Sequence, residues 1–187
     1  MNSDTADAAI ALIQLCIERK LTIATAESCT GGLVAGALTD VPGSSAVVDR
    51  GFVTYSNNAK QQMLGVPAAT LKQYGAVSRQ TAEAMARGAL TKAKVDLAVA
   101  ITGIAGPGGG SVDKPVGLVH FAAASRDGTS MHAAMRYGDI GRTDVRHKSV
   151  LQALRMLMEL AEAHAAGAPR KPAKQAKQAS AKGQKKP

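Results

Sequence analysis

The stretch DLAVAITG, residues 96–103, is the most continuously apolar segment of the chain, and it decides the fold class. A short apolar run between a charged residue and a glycine is typical of a strand buried on both faces. The preceding segment SRQTAEAMARGALTKAK (78–94) has the spacing of an amphipathic helix despite Gly88, with Ser78 as its N-cap. A helix that leads into a buried strand is typical of α/β proteins, so we expect residues 96–103 to form a central strand.

The segments before this strand predict further helices and strands. The predicted elements are a helix over residues 6–19, a strand over LTIATAES (21–28), a helix over LVAGALTD (33–40), a strand over GFVTYS (51–56) and a helix over NNAKQQML (57–64). Asp4 or Thr5 is the expected N-cap of the first helix, and Asn57 or Asn58 that of the helix after the second strand. Small residues in the helix over 33–40 suit close packing against a sheet.

After the central strand the pattern predicts two antiparallel strands and a long final helix. A glycine-rich loop (104–115) leads to GLVHFAAAS (117–125) and TSMHAAMRYG (129–138), which are joined through residues 126–128, a strong hairpin signal. The apolar positions of residues 142–165 mark one buried face of a helix. Together these elements predict a single-domain α/β protein, a three-layer α/β/α sandwich with a mixed sheet.

The positive charge of the chain is concentrated at its C-terminal end. The 187 residues include 23 Lys and Arg against 14 Asp and Glu, which gives a net charge of +9. Seven of the basic residues follow residue 167, and without them 16 basic residues face 14 acidic ones. We therefore predict a folded domain over residues 1–166 and a Lys/Ala/Pro-rich tail over residues 167–187. The tail lacks aromatic and β-branched residues, so we expect it to be disordered.

The composition also indicates where the protein is located and which ligands and partners it binds. Acidic residues near the N-terminus and the lack of an apolar run of about 20 residues argue against a signal peptide and a membrane span, so we expect a cytoplasmic protein. Cys16 and Cys29 match neither a disulfide framework nor a zinc pattern, and we expect no metal. The tail can attract nucleic-acid phosphates, but without aromatic residues for base stacking a solvated tail is the favoured interpretation.

Polar residues gather where the first predicted strand gives way to a helix, in the segment AESCTGG (26–32). Backbone N–H groups in the first turn of a helix can hold an oxyanion or a phosphate beside Ser28. The segment is not the hydrolase elbow G-x-S-x-G, because Ala26 and Thr30 stand at the glycine positions. Two roles therefore stay open for Ser28, a nucleophile or the N-cap of the following helix.

A serine nucleophile needs a base, and Lys60 is the strongest candidate in the sequence. The histidines lie in the hairpin strands and the last helix, away from the other motifs; they are His120, His132, His147 and His164. A desolvated lysine loses its proton near neutral pH and can then deprotonate a serine. Tyr55, at a predicted strand end, is placed to orient that amine or to relay a proton. In isolation, Lys60 is also an ordinary solvated residue and Tyr55 an ordinary core residue.

Two features of the second half suit an anionic ligand. The loop ITGIAGPGGG (101–110) is glycine-rich after a strand, so its backbone can approach a phosphate closely. It matches neither the Walker motif nor the dinucleotide fingerprint, and it also fits a plain flexible turn. Arg142 and Arg146 lie one helical turn apart and present two guanidinium groups that suit phosphate or carboxylate. The sequence does not determine which of the two arginines contacts a ligand. It is also compatible with two solvated surface arginines.

Four separated runs together resemble the CinA C-terminal family of nicotinamide-nucleotide amidohydrolases over about residues 8–163. These runs are TAESCTGG (25–32), VVDRGFVTYSNNAKQQMLGV (47–66), GAVS (75–78) and AITGIAGPGGGSVDKPVGLV (100–119). The resemblance implies hydrolysis of the carboxamide of nicotinamide mononucleotide to nicotinate mononucleotide and ammonia, with no cofactor. It also favours a homo-oligomer. Longer members carry an additional domain similar to molybdopterin-binding proteins, whose activity we expect to be absent here.

The resemblance also implies roles for individual residues. It implies Ser28 as nucleophile, Lys60 as base, Tyr55 as assisting tyrosine and Arg142 as a substrate contact. On this hypothesis the backbone around Thr30 and Gly31 holds the oxyanion. The remaining ligand contacts come from the loop over residues 102–110, which contributes Thr102, Gly103 and Gly106. A competing hypothesis is a non-catalytic nucleotide- or partner-binding module related to competence proteins, because a fold and its pocket can persist without catalysis.

Overall fold

The structure is a computed structural model that describes residues 3–164, so the tail predicted over residues 167–187 lies outside the described part. Within residues 3–164 the elements are α1 (Ser3–Arg19), β1 (Ile23–Glu27), α2 (Leu33–Thr39), a 3-10 turn (Ser44–Ala46), β2 (Val48–Val53), α3 (Asn57–Leu64), α4 (Ala68–Tyr74), α5 (Arg79–Ala93), β3 (Leu97–Gly103), β4 (Leu118–Ser125), β5 (Ser130–Arg136) and α6 (Arg142–Ala163). No helix in this range combines the length and the apolar character needed to cross a membrane.

The strands form one mixed sheet in the order β2-β1-β3-β4-β5. β1 pairs in parallel with both β2 and β3, whereas β4 is antiparallel to β3 and to β5. β3 is central, as its continuous apolar sequence predicts. Its residues from Leu97 to Thr102 are buried. Because β1, β2 and β3 are parallel, their carboxyl ends lie at the same edge of the sheet, which we call the carboxyl edge.

Helices cover both faces of the sheet and bury two separate apolar clusters. One face packs against α1, α2 and α6 around residues such as Leu12, Phe121 and Leu157. The other face is rich in alanine and packs against α3, α4 and α5, with Met85 fully buried among them. Burial of apolar surface on both faces is the main force that holds the three layers together. The predicted α/β/α sandwich with a mixed sheet is therefore confirmed.

Element boundaries differ from the sequence prediction around the edge strand β2. The strand spans Val48–Val53, not residues 51–56, and it pairs with β1 along this length. As an edge strand it exposes Asp49, Arg50 and Gly51, so its sequence lacks the apolar alternation that reveals a strand. Residues 54–56 therefore form the connection from β2 to α3 at the carboxyl edge. The sequence also does not predict α4, a seven-residue helix.

Helix starts confirm one predicted cap and correct two others. Ser78 caps α5, and its side chain accepts a hydrogen bond from the Thr81 amide, as predicted. The prediction of Asn57 or Asn58 as the cap of α3 is wrong, since Ser56 is the N-cap and its Oγ accepts from the Ala59 amide at 3.0 Å. α1 begins at Ser3, so the predicted caps Asp4 and Thr5 lie inside its first turn.

Candidate active site

Ser28 and Lys60 meet at the carboxyl edge because of the parallel pairing of β1 with β2. Ser28 directly follows β1, and its amide donates to the Ile101 carbonyl at 3.0 Å, which ties it to β3. Lys60 is the fourth residue of α3, the helix that follows β2 after a connection of three residues. Neighbouring parallel strands end at the same edge, so the residue after β1 and the helix after β2 come together there.

The Lys60 side chain is buried and contacts three oxygen atoms. Its Nζ lies 3.0 Å from Ser28 Oγ, 2.8 Å from the Thr54 carbonyl oxygen and 3.3 Å from the Tyr55 carbonyl oxygen. Only 1% of its surface is exposed. These three oxygens can accept the three hydrogens of an ammonium group. For a neutral amine, with two hydrogens and one lone pair, they supply two carbonyl acceptors and one hydroxyl that can donate to the lone pair.

Burial shifts the protonation equilibrium of Lys60 towards the neutral form. Burial lowers the pKa of its amine below the ordinary value of 10.5, while negative charge on Cys29 acts in the opposite direction. Burial raises the pKa of the Cys29 thiol to about 12, so this group stays uncharged at neutral pH. No carboxylate forms an ion pair with Lys60 anywhere in residues 3–164. The neutral Cys29 thiol is also a poor competitor of Ser28 as a nucleophile.

Glu27, which the sequence analysis missed, holds the start of α2 and settles the alternative role of Ser28. The N-cap of α2 is Gly32, which offers no side chain, and the fully buried Glu27 carboxylate takes over the capping. Amides that donate to it at 2.9–3.0 Å are those of Gly32, Val34 and Ala35. Ser28 is therefore not the helix cap. The available signal was a carboxylate six residues before the first residue of a helix that two glycines precede.

The turn after Ser28 contains two backbone amides that donate to no other residue within the described part of the chain. The Gly31 amide, predicted to hold an oxyanion, already donates to the Ser28 carbonyl at 3.1 Å. Within the described residues the Cys29 and Thr30 amides donate no hydrogen bond to another residue. Thr30 is fully buried, and its hydroxyl also has no partner there. The amides that lack another residue as acceptor are thus those of Cys29 and Thr30, while oxyanion binding around Thr30 and Gly31 stays a prediction.

The two arginines of α6 have different positions. Arg142 is exposed, and its guanidinium donates to the Gly106 carbonyl at 3.0 Å and to the Tyr55 phenol oxygen at 3.2 Å. Arg146 is half-buried, and its guanidinium donates to the Cys29 and Thr30 carbonyls at 3.1 and 2.9 Å. Arg142 therefore lies over the outer part of the site, whereas Arg146 lies behind the turn after Ser28.

Tyr55 joins the site through two different groups. Its carbonyl oxygen contacts Lys60, while its phenol contacts Arg142 and its side chain is 62% exposed. Among the described residues no hydrogen bond links the phenol to Lys60 or Ser28. The geometry therefore places the aromatic ring at the mouth of the site, next to Arg142, and the main chain beside the amine.

The glycine-rich loop contributes to the site mainly through Gly106, whose carbonyl accepts from Arg142. The buried Thr102 hydroxyl already donates to the Ala76 carbonyl at 2.8 Å. Gly103 is required by packing, because a Cβ there would lie 2.7 Å from the Val119 side chain. Ligand binding by Thr102, Gly103 and Gly106 thus stays a prediction, and two of the three have a structural role in addition.

A second serine with histidine and aspartate neighbours lies at the opposite edge of the sheet. His164 Nδ1 is 2.9 Å from Ser125 Oγ and 3.0 Å from an Asp127 carboxylate oxygen. A catalytic triad needs both ring nitrogens, one facing the serine and the other the carboxylate. Here one nitrogen faces both groups, so this cluster cannot relay a proton. It fastens the end of α6 to the β4–β5 hairpin. No group of metal-ligand side chains gathers within the described range.

Fold and site together define a three-layer α/β protein with a buried hydroxyl–amine pair at the carboxyl edge of its sheet. Residues 5–161 match the CinA C-terminal domain family, and the chain belongs to that family. A crystal structure of the competence/damage inducible protein CihA from Agrobacterium tumefaciens is similar, with 58% identity and a TM-score of 0.85 over 86% of this chain and 97% of that one.

Curated relatives differ in length and in name. A putative competence-damage inducible protein from Caldicellulosiruptor bescii is 51% identical over 145 residues, which are 77% of this chain but only 35% of that protein. A nicotinamide-nucleotide amidohydrolase PncC from Enterobacter agglomerans is 53% identical over 134 residues, 71% of this chain and 80% of that protein. The chain thus spans about a third of the first relative and most of the second.

Proposed function

We propose that the chain hydrolyses the carboxamide of nicotinamide mononucleotide, giving nicotinate mononucleotide and ammonia, with Ser28 as nucleophile and Lys60 as base. The observation that carries the proposal is the 3.0 Å contact between Ser28 Oγ and a buried amine that has no carboxylate partner within residues 3–164. The name of the Enterobacter agglomerans relative, a nicotinamide-nucleotide amidohydrolase, supports this substrate.

Acylation begins when neutral Lys60 accepts the Ser28 proton and Oγ attacks the carboxamide carbon. The carbonyl oxygen becomes an oxyanion, for which we assign the Cys29 and Thr30 amides as donors, since they donate to no other described residue. The C–N bond then breaks, and Lys60 returns its proton to the departing nitrogen, which leaves as ammonia. The product of this half-reaction is an ester between Ser28 and the nicotinate carbonyl.

Deacylation uses the same groups with water as the nucleophile. Neutral Lys60 takes a proton from water, whose oxygen attacks the ester carbon, and the oxyanion forms again beside the same amides. Collapse releases nicotinate mononucleotide, and the proton on Lys60 returns to Ser28 Oγ. The Thr54 and Tyr55 carbonyls hold the two remaining amine hydrogens throughout, so the lone pair stays directed at the hydroxyl.

The substrate phosphate and ribose are assigned to the outer part of the site. Arg142 is exposed and lacks a carboxylate partner among residues 3–164, so its charge is available to a phosphate. The exposed Tyr55 ring lies beside it and offers an apolar surface to the pyridine or the ribose. The loop over residues 102–110 completes this side through Gly106, which Arg142 already contacts.

Ser28→Ala and Lys60→Met should each abolish ammonia release from nicotinamide mononucleotide. Loss of either group removes the nucleophile or its base, and we expect kcat to fall at least about a thousandfold. The measurement is coupled detection of ammonia at saturating substrate, with circular dichroism to verify the fold. Lys72→Met, which removes an exposed lysine from α4, is the matched control and should keep full activity.

Two outcomes separate this proposal from the binding-module hypothesis. Wild-type turnover that persists in Ser28→Ala or Lys60→Met contradicts the assigned mechanism. A wild-type chain that binds the mononucleotide in calorimetry but releases no ammonia contradicts hydrolysis and favours a nucleotide-binding module. A panel of pyridine nucleotide amides in the same assay defines which substrate the site prefers.

A further inference from the structure

Arg146 contacts the carbonyl side of the turn that follows Ser28. Its Nε and Nη2 atoms donate to the carbonyls of two consecutive residues, Cys29 at 3.1 Å and Thr30 at 2.9 Å. The residue is anchored by α6, because the neighbouring Val145 and Ser149 side chains are fully buried. The guanidinium also lies 3.5 Å from where a Cβ would stand on Gly31, so it fills the space behind the turn.

The direction of these two carbonyls determines the direction of two amides. In a trans peptide the C=O and N–H groups point in opposite directions. A Cys29 carbonyl held towards Arg146 therefore turns the Thr30 N–H away from Arg146, and a Thr30 carbonyl held there does the same for the Gly31 N–H. The orientation of the Gly31 N–H agrees with this argument, because that amide donates to the Ser28 carbonyl. The Thr30 amide is left without an acceptor among the described residues.

We infer that Arg146 is a positioning residue that orients the Thr30 amide, one of the two proposed oxyanion donors, rather than a ligand for the substrate phosphate. This inference rests on the proposed Ser28 chemistry. Positive charge at the two carbonyl oxygens also polarises both peptide groups, which makes the attached N–H groups stronger donors. Arg142, one turn earlier, contacts neither carbonyl and is left to bind the substrate.

The kinetic test separates positioning from substrate binding. An oxyanion donor acts on the transition state, and losing one costs about 100-fold in kcat. We expect Arg146→Ala to lower kcat by at least about tenfold while KM changes less than about threefold, whereas Arg142→Ala mainly raises KM. Added guanidinium ion should restore part of the Arg146→Ala activity. Arg155→Ala removes an exposed cation from the same helix and should change neither constant.

A second readout does not depend on the amide substrate. An alkyl fluorophosphonate reacts with an activated serine: the Ser28 Oγ–P bond forms, the P–F bond breaks, fluoride leaves and Lys60 takes the serine proton. The phosphoryl oxygen needs the same amide donors as the amide oxyanion. We expect mass spectrometry to find label on Ser28 in the wild type, none in Ser28→Ala and at least about tenfold slower labelling in Arg146→Ala.

The outcomes distinguish this inference from the proposed function. If the wild type releases ammonia and Arg146→Ala keeps its kcat, the positioning role is wrong and the function stands. If the wild type is labelled but releases no ammonia, the substrate is wrong, and the labelling rates still decide the role of Arg146. A wild type that does neither overturns both. Should Arg146→Ala lose its fold, Arg146→Lys, which reaches one carbonyl at most, replaces it and should give an intermediate rate.

Discussion

At the scale of single residues, Lys60 shows how burial without a counter-ion lowers the pKa of an amine. A charged amine in an apolar interior loses its hydration, and without a carboxylate nearby this loss favours the neutral form. Lys60 is 1% exposed and contacts only a hydroxyl and two carbonyls. These carbonyls orient the amine without neutralising a charge, which a carboxylate in their place would do. The amine is therefore held by hydrogen bonds to uncharged oxygens, and no anion among its hydrogen-bond partners stabilises its charged form.

Activity should depend on pH through this amine. Only the neutral form accepts the Ser28 proton, and burial lowers the pKa of Lys60 from 10.5, so the active form persists at lower pH than for an exposed lysine. We expect kcat/KM to be level at alkaline pH and to fall about tenfold per pH unit below the lowered pKa. The measurement is ammonia release in overlapping buffers, with substrate stability checked at each pH.

Two pH profiles would contradict the assignment of Lys60. Rates that keep rising up to pH 10.5 indicate an amine with its ordinary pKa, so burial would not be acting as described. Rates that stay level from about pH 5 to about pH 9 indicate that no group with such a lowered pKa limits the reaction. The Lys72→Met control should reproduce the wild-type profile, because Lys72 is exposed on α4 and is no part of the proposed site.

At the scale of elements, the position of Lys60 depends on how closely α3 packs against α5. A Cβ added at Gly88 on α5 would lie 2.2 Å from the carbonyl oxygen of Leu64, the last residue of α3. Real Cβ atoms do not approach a backbone oxygen so closely, so only glycine permits this contact. The glycine that weakens the helical pattern of residues 78–94 is therefore the residue that lets α3 bring its lysine to the carboxyl edge.

Gly88→Ala should push α3 away from α5. We expect the free energy of unfolding to fall by about 2 kcal/mol, which lowers Tm by about 6 °C in a domain of this size, and kcat to fall as Lys60 withdraws from Ser28. Scanning calorimetry and the ammonia assay measure the two effects. Gly36→Ala is the matched control, since its Cβ meets nothing within 4 Å, and it should raise stability by up to about 1 kcal/mol. Equal stability of the two variants contradicts this packing argument.

The same scale explains which parts of the fold the sequence predicts. Continuous apolar residues identify β3, and the Asp-Gly turn identifies the β4–β5 hairpin, because both patterns arise from local structure. β2 is displaced in the prediction because an edge strand needs apolar residues at few positions. The sequence analysis does not predict α4, because seven residues are too few to show a helical periodicity.

The candidate site divides in the same way. Ser28, Lys60, Tyr55 and Arg142 stand in recognisable motifs, and the fold brings all four to one edge through the contacts described above. The contacts of Glu27 are local, and its position before two glycines was a signal for them. The role of Arg146, by contrast, depends on which carbonyls its side chain meets across the fold, and no spacing along the chain records that. Long-range hydrogen bonds of this kind require the coordinates.

At the scale of the whole molecule, the excess of basic residues and the residues of the proposed site lie in different parts of the sequence. The residues that match the family end at 161, and every side chain assigned to the site lies between Ser28 and Arg146. The seven basic residues after residue 167 account for most of the net charge of +9. Association with nucleic-acid phosphates is therefore expected to depend on those residues, whereas hydrolysis is expected to be independent of them.

Deleting residues 168–187 should leave ammonia release and Tm unchanged, because the deleted segment contains no residue of the proposed site and follows residue 161, where the family match ends. The solvated-tail interpretation further predicts that neither the full chain nor the shortened one is retained on duplex DNA at about 150 mM salt. Retention of the full chain alone, lost as salt rises, would instead assign the tail to phosphate binding. A fall in kcat or Tm on deletion would show that the tail contacts the folded domain, and would contradict the division of the chain at residue 166.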